Sequence, residues 1–257
     1  MTRADPPDPR STKTRILDAA EELFAIRGYD GVSLREITQA AGVEVALANY
    51  HFGPKEELFR QVIHRRVAEH CDGVLAALDA AQVAAAAGGR IASVEDVVGA
   101  FCRYTFTKTV TGGLGWKRYF QLLSRTALSP VYAPVLAPLN KPYGVIVRRY
   151  VAAFQAALPT LPPGHLYTAF YFLQAMVSRL LAETQVLDRQ SQGRCHAADF
   201  EAHLARLVPF AAAGFYALAG RPDVSPSPGF EVGVPSEGPG RAATRDPAAA
   251  TGPATSL

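Results

Sequence analysis

Beginning at Ser11, apolar side chains fall three and four residues apart. Ile16, Ala20, Leu23 and Phe24 share one face before Gly28 interrupts the run. That period predicts an amphipathic helix over 11–27, with Ser11 as its N-cap. Ser33-Leu34-Arg35-Glu36 has the S-x-x-E form of a capping box, so a second helix starts there and buries Leu34, Ile37 and Ala41 on one face. Gly42 breaks it, Val43 plugs the corner, and 44–50 is a short third helix. Gly53-Pro54 reads as the entry to a long fourth helix from Pro54 to Asp79, with Leu58, Val62, Val67, Val74, Leu75 and Leu78 available for burial. The alanine- and glycine-rich stretch from Gln82 to Arg90 closes this first unit. Further helices are expected near 93–109, started by Ser93-x-x-Asp96, and near 116–127, 131–157, 163–187 and 197–219. Pro130, Pro134, Pro138 and Pro142 make the start of the 131–157 segment irregular. Almost no period-two alternation occurs, so the fold class is all-α.

Both ends differ from this pattern. Pro6, Pro7 and Pro9 predict a flexible arm over 1–10, and seven prolines and five glycines predict a disordered tail over 221–257. Between them, 49% apolar and 19% charged residues exclude wholesale disorder. No uncharged apolar run of about 18 residues offers a membrane span, and the polar start lacks an export signal, so the expected address is cytoplasmic. Cys71, Cys102 and Cys195 are odd in number and far apart, which suggests neither a disulfide framework nor a zinc site.

The formal net charge of +3 favours an anionic partner only slightly. Through Arg60 there are eight Lys or Arg against ten acids. Nucleic-acid binding there must therefore rest on where the cations stand.

A capped helix of about eight residues, a glycine turn and a short helix ending in Asn49-Tyr50-His51-Phe52 have the form of a helix-turn-helix, spanning about 33–52. The stretch TRILDAAEELFAIRGYDGVSLREITQAAGVEVALANYHFGPKEELF resembles the N-terminal domain of the TetR family of transcriptional regulators over its whole length without a gap. ILDAAEELF, the Gly28–Ile37 segment, AGV at 41–43 and NYHFGPKEEL at 49–58 carry that resemblance. It implies an N-terminal three-helix DNA-binding domain over 11–71 and a C-terminal helical domain over 72–220 that binds an effector and dimerises. Position by position, it implies that Ser33 caps the second helix and touches phosphate, and that Arg35 reaches a base edge, where guanidinium suits guanine O6 and N7. Val45, Ala46 and Leu47 take the recognition face, departing from the family's frequent polar-Gly-Thr pattern, so thymine methyl contacts or shape readout carry more there. Asn49 suits adenine or phosphate. Tyr50, His51 and Lys55 suit phosphate, and Arg10, Lys13 and Arg15 are candidates for the backbone beside the first helix. His51 reads equally as a packing residue, and Phe52 chiefly as core.

Aromatic side chains are spread over the later helices, and Phe101, Tyr104, Trp116, Phe120, Tyr150, Phe172 and Met176 are the candidate walls of a ligand cavity, with Arg125 as a candidate partner for an acidic head. A dry core explains such residues as well. Tyr143-Gly144, Arg148-Arg149-Tyr150, LPPGHLYTAFYFLQA and LVPFAAAGF make this half most similar to the fatty-acid-responsive, PsrA-like branch of the family, which implies a fatty acid or acyl-CoA effector. Apolar surplus on the last two helices, at Phe170, Leu173, Val177, Leu180 and Leu181 on one and Leu204, Leu207, Val208, Ala211 and Phe215 on the other, predicts a homodimer and hence a palindromic operator in double-stranded DNA. Two other readings stay open. One is a DNA-binding protein whose helical domain binds a protein partner instead of a small ligand. The other is a helical enzyme, for which little speaks: His64 and His70 do not share a helix face, His196, Asp199 and His203 lack a matched fourth ligand, and no phosphate loop follows a strand. No cofactor, metal site, catalytic residue or membrane partner is predicted.

Overall fold

A computed structural model describes residues 11–127, 129–183 and 185–220. The expected arm at 1–10, with Arg10, and the expected tail at 221–257 lie outside the described residues. Twelve helices follow one another among the described residues, and no strand forms. They are α1 Thr12–Arg27, α2 Leu34–Ala41, α3 Val45–Phe52, α4 Lys55–His64, α5 Val67–Ala87, α6 Val94–Thr111, α7 Gly113–Ala127, α8 Ala133–Leu136, α9 Asn140–Ala157, α10 Pro163–Leu181, α11 Val186–Gln190 and α12 Phe200–Ala219.

The local signals act as expected. Ser11 Oγ accepts the Thr14 N–H at 3.2 Å, and Gly28 at φ 74° ends α1. At Ser33 both halves of the capping box form: its hydroxyl accepts the Glu36 N–H at 3.2 Å, while the Glu36 carboxylate accepts the Ser33 N–H at 2.8 Å and the Ser33 O–H at 2.7 Å. Ser93 and Asp96 repeat the arrangement at the start of α6. Four proline-bearing positions divide the predicted 131–157 helix into two 3-10 turns, α8 and α9, because proline removes the N–H that a continuous helix needs. The predicted 163–187 helix likewise ends at Leu181, followed by the five-residue α11.

The expected fourth helix is two helices. Its apolar phase, Leu58, Phe59, Val62 and Ile63 followed by Val67, Cys71, Val74 and Leu78, is buried on both sides of a break at Arg65–Arg66. Arg66 leaves helical geometry at φ −117°, ψ 4°. The cause is tertiary. Glu21 of α1 is only 3% exposed, and its carboxylate accepts Arg66 Nε and Nη2, each at 3.0 Å, with Arg65 Nη1 at 3.5 Å and Asp18 taking Arg65 Nη1 at 2.6 Å. A buried carboxylate needs such pairing, and two adjacent arginines reach it only where the helix turns.

Two layers result. In the first, α1 packs on α2, α3 and α4 around Ile16, Ala20, Phe24, Ile37, Ala48, Leu58 and Phe59. In the second, α6 lies centrally against α5, α7, α9 and α12, and α10 packs on α7, α9 and α12. α12 is long and apolar enough to cross a bilayer by length and composition, yet only 17% of its most apolar 18-residue stretch is buried. With α10 it leaves Tyr167, Tyr171, Phe172, Phe210 and Tyr216 exposed, whereas Phe170, Leu173, Val177, Leu181, Leu207, Ala211 and Phe215 of the expected dimer face are buried within the chain as core.

Candidate functional site

The short helix α3 shows its side chains outward. Ala48 and Phe52 alone turn into the core, whereas Val45, Ala46, Leu47, Asn49 and Tyr50 are exposed, Tyr50 by 83%. His51 is half-buried, its ring 5.2 Å from Tyr50 and 6.2 Å from Phe52. Ser33 is exposed at the start of α2, two residues before exposed Arg35. Gly42, left-handed at φ 63°, sets the turn between α2 and α3. Arg15 locks it from α1: Nη2 donates to the Ala41 carbonyl at 2.6 Å and the Gly42 carbonyl at 2.9 Å.

That lock corrects the reading of Arg15 as a backbone contact, since its guanidinium ends a helix within the protein. Lys55 is spent in the same way. Its Nζ donates to the carbonyls of Tyr29 at 3.0 Å and Val32 at 2.9 Å and lies 4.0 Å from the centre of the Tyr29 ring, so it buttresses the loop between α1 and α2. Arg27 is paired with Glu36 at 2.7 Å and Arg60 with Glu57, and Lys13 stands over the Phe52 ring. The Arg35 guanidinium has no hydrogen bond or ion pair among the described residues, and the Thr38 hydroxyl donates to its backbone carbonyl at 3.0 Å. Among the described residues, the near balance of charge in this layer thus hides one unpaired guanidinium beside α3.

In the second layer a cavity of about 310 Å³ opens between α5, α6, α7, α9 and α10. Of the candidate wall residues, Phe101 and Phe120 border it, beside His70, Leu123, Ser124 and Tyr143. The other candidate wall residues stand elsewhere. Tyr150 is fully buried, stacked on Phe170 at 5.4 Å, and its hydroxyl donates to the Val74 carbonyl at 2.9 Å, so it is satisfied core. Trp116 is buried beneath Arg66 and Lys108, whose charges lie 5.3 and 4.6 Å from its ring. Tyr104 reaches the Glu69 carbonyl at 3.2 Å and borders a groove between α5 and α6. Phe172 is exposed, and Met176 borders an outer groove between α10 and α12. Arg125 faces away from the cavity: it donates to the Ala25 carbonyl at 2.6 Å and the Ala182 carbonyl at 3.1 Å.

No group of three or more metal-ligating side chains forms among the described residues. His196 Nδ1 pairs with Asp188 at 3.1 Å and His203 Nε2 bonds the His196 carbonyl at 3.0 Å, which fastens the loop before α12. Burial pushes the thiols of Cys71 and Cys102 up to about 11 and about 12, so neither is a nucleophile at neutral pH.

Residues 16–62 match the family model described as bacterial regulatory proteins, tetR family, and residues 99–214 match that of the tetracyclin repressor-like C-terminal domain. Together they cover more than half of the chain. The chain belongs to the TetR family. Among characterised relatives, the negative regulator IcaR of the icaADBC biofilm operon in Staphylococcus epidermidis is 37% identical over 51 residues, which are 20% of this chain and 28% of IcaR. The match thus spans little more than a quarter of that relative. FadR from Bacillus subtilis, solved with stearoyl-CoA, aligns over 78% of this chain and 98% of its own at a TM-score of 0.57 and 15% identity. AibR, solved with isovaleryl coenzyme A and operator DNA, aligns over 77% and 99% at 0.55 and 20%. At such identities the likeness is one of fold.

One feature of this TetR chain escaped sequence reasoning. α7 touches both the cavity and α1. Phe120, Leu123 and Ser124 face the cavity, while Arg118 pairs with Glu22 at 2.7 Å and Arg125 holds the end of α1. Gly115 brings the α7 backbone against the Glu21–Arg66 pair, where an added Cβ would lie 2.4 Å from Arg66 Nη2. Glu21 was the available signal, since it is a lone carboxylate in the row of Leu17, Ala20 and Phe24.

Proposed function

We propose that this protein is a cytoplasmic, dimeric, DNA-binding transcriptional regulator, a repressor by analogy with IcaR, whose operator affinity is set by a small molecule in the inner cavity. The observation that carries the reading is the surface of α3. A helix of eight residues that exposes Val45, Leu47 and Tyr50, beside an unpaired Arg35 on a rigidly capped α2, is built to meet something outside the chain. Major grooves admit such a helix, guanidinium reads guanine, and methyl-bearing side chains read thymine. Ser33, Asn49, Tyr50 and His51 are the proposed phosphate or base contacts around them. Lys55 acts first as a buttress, and a phosphate contact would use only its remaining N–H.

Dimerisation through α10 and α12 is supported by their exposed aromatic residues and by the shallow burial of α12. A two-fold four-helix contact would cover both. Coupling is assigned to α7 rather than to a continuous fourth helix. An occupant that fits the cavity better at one spacing of the reading heads shifts DNA affinity by its difference in affinity between the two states; about 1–3 kcal/mol gives a roughly 5- to 150-fold change. A fatty acid or acyl-CoA is the occupant that the PsrA-like resemblance implies, and acyl-CoAs are bound by FadR and AibR. The cavity accepts an acyl chain on its apolar walls, but among its lining residues there is no Lys or Arg for an acidic head.

Footprinting on DNA flanking the protein's own gene tests the proposal. Protection of a two-fold symmetric site, weakened at least tenfold by Arg35→Ala with an unchanged melting temperature, is the expected result. Equal binding by wild type and Arg35→Ala would overturn this docking.

A further inference from the structure

The chemistry of the effector can be read from the inner end of the cavity, granted the reading of that cavity as the effector site. Three buried polar atoms beside it have no hydrogen-bond partner of normal geometry among the described residues: His70 Nδ1 and the hydroxyls of Tyr143 and Tyr119. His70 and Tyr143 belong to the lining, and Tyr119 stands directly behind His70, with ring centres 6.2 Å apart. The two tyrosine hydroxyls stand within long hydrogen-bonding reach of each other and shift each other's ionisation, which leaves His70 Nδ1 as the atom with no polar neighbour in reach. His70 is 6% exposed and is enclosed by the rings of Tyr104, Tyr119, Phe120 and Tyr143, with centre-to-centre distances of 6.1, 6.2, 5.1 and 5.8 Å. Buried polar groups in folded proteins are nearly always hydrogen-bonded. His70 and Tyr143 border the cavity with their other atoms, so a small turn of either side chain would offer its unpaired atom to an occupant.

Charge and size narrow the class. No Lys, Arg, Asp or Glu lines the cavity. Burial pushes the His70 imidazole down to about 4, so it is neutral at physiological pH and is no counter-ion. Arg125, the arginine expected to meet an acidic head, is held by two carbonyls. An anionic group entering here would lose its water without gaining a cation, which buried charges do not tolerate. At about 310 Å³ the space lies at the small end of ligand pockets, which run from about 300 to 1,000 Å³.

We infer that the effector is a compact, uncharged, largely apolar molecule, aromatic or alicyclic, whose single hydrogen-bonding group meets His70 and Tyr143. Neutral His70 presents either a donor or an acceptor according to its tautomer, and a tyrosine hydroxyl presents both. A hydroxyl or carbonyl group therefore fits equally.

Calorimetric titration of the full-length protein tests this with matched probes: 2-naphthol and 4-butylphenol as uncharged bearers of a hydroxyl, naphthalene without a polar group, and 2-naphthoate, octanoate and octanoyl-CoA as anions. The expected order places the two phenols first. Tyr143→Phe and His70→Phe should each weaken 2-naphthol about 2- to 12-fold, the worth of one neutral hydrogen bond, while leaving naphthalene within about twofold. Tyr143→Phe removes one oxygen atom and keeps the ring, so it guards against a folding defect in the histidine variant. Tighter binding of an anion than of 2-naphthol, or equal loss of naphthol and naphthalene in both variants, overturns the inference. Release of bound DNA by octanoyl-CoA in the same series would leave the regulator reading intact. Absence of binding by every probe, with DNA affinity unmoved, would count against that reading as well.

Discussion

Replacing Arg66 with Met should destabilise the protein by about 2–3 kcal/mol, because it strands the Glu21 carboxylate at the joint between α4 and α5. The figure follows from three contributions. Orphaning one member of a buried ion pair costs about 3–5 kcal/mol, and the Glu21 side chain is 4% exposed. Arg65, already 3.5 Å away, recovers part of this by closing in, at about 1.5–3 kcal/mol for a hydrogen bond to a charged group. Loss of the Arg66 cation above Trp116, 5.3 Å from the ring, adds about 0.5–1 kcal/mol. Urea unfolding followed by circular dichroism, at one fixed protein concentration because a dimer's stability depends on it, gives the comparison. The double variant Glu21→Met with Arg66→Met should lie much nearer to wild type than the single Arg66→Met, since two apolar side chains of similar volume leave no stranded charge. If the single variant unfolds within about 0.5 kcal/mol of wild type, or the double variant is worse than the sum of the singles, the ion pair is not what breaks the helix there.

Other predictions follow from neighbouring features. Phe210→Glu, on a side chain 69% exposed on α12, should turn a sedimenting dimer into a folded monomer with weakened DNA binding; an unchanged dimer would move the interface elsewhere. Lys55→Ala should lower stability by about 1.5–3 kcal/mol through loss of its bonds to two carbonyls, whereas Arg35→Ala should leave the melting temperature unchanged, and the reverse pattern would exchange their assigned roles. The Glu36 carboxyl is held down at about 2, chiefly by the hydrogen bonds from Ser33. Its stabilising contribution is thus complete above its ordinary value of 4.5 and disappears as pH falls toward 2. The gap in melting temperature between wild type and Glu36→Gln should narrow over that window, and a gap that is flat with pH would contradict the capping role.

Much of the fold was legible because its signals are local. Ser11, Ser33 with Glu36, and Ser93 with Asp96 satisfy donors within three residues, and Gly28 and Gly42 take positive φ where they stand, so short stretches of sequence suffice to mark these boundaries. The break at Arg65–Arg66 was hidden because the apolar phase continues through it. Its cause lies on α1, more than forty residues away. The carbonyl partners of Lys55 and Arg15 were hidden for a related reason: a cation in a DNA-reading domain suits phosphate, but a nearby helix end or loop carbonyl competes for the same donors, and only three-dimensional distance shows it. Among the aromatic residues, spacing distinguishes inside from outside but not a wall from a packed core. Phe120 and Tyr150 have the same pattern, and the difference is that Tyr150 meets the Val74 carbonyl across a filled interior.

Selection of bound sequences from a random duplex library, followed by measurement of the stoichiometry of the selected complex, tests most directly whether paired copies of this chain present α3 to DNA. The account predicts enrichment of a two-fold symmetric sequence with half-sites about one helical turn, roughly 34 Å, apart or a multiple of it. It further predicts two chains, or an even number, on each site, and loss of the enrichment when Val45, Leu47 and Tyr50 are replaced together by Ala. Failure to enrich any sequence, or selection of the same sequence by that triple variant, would contradict it.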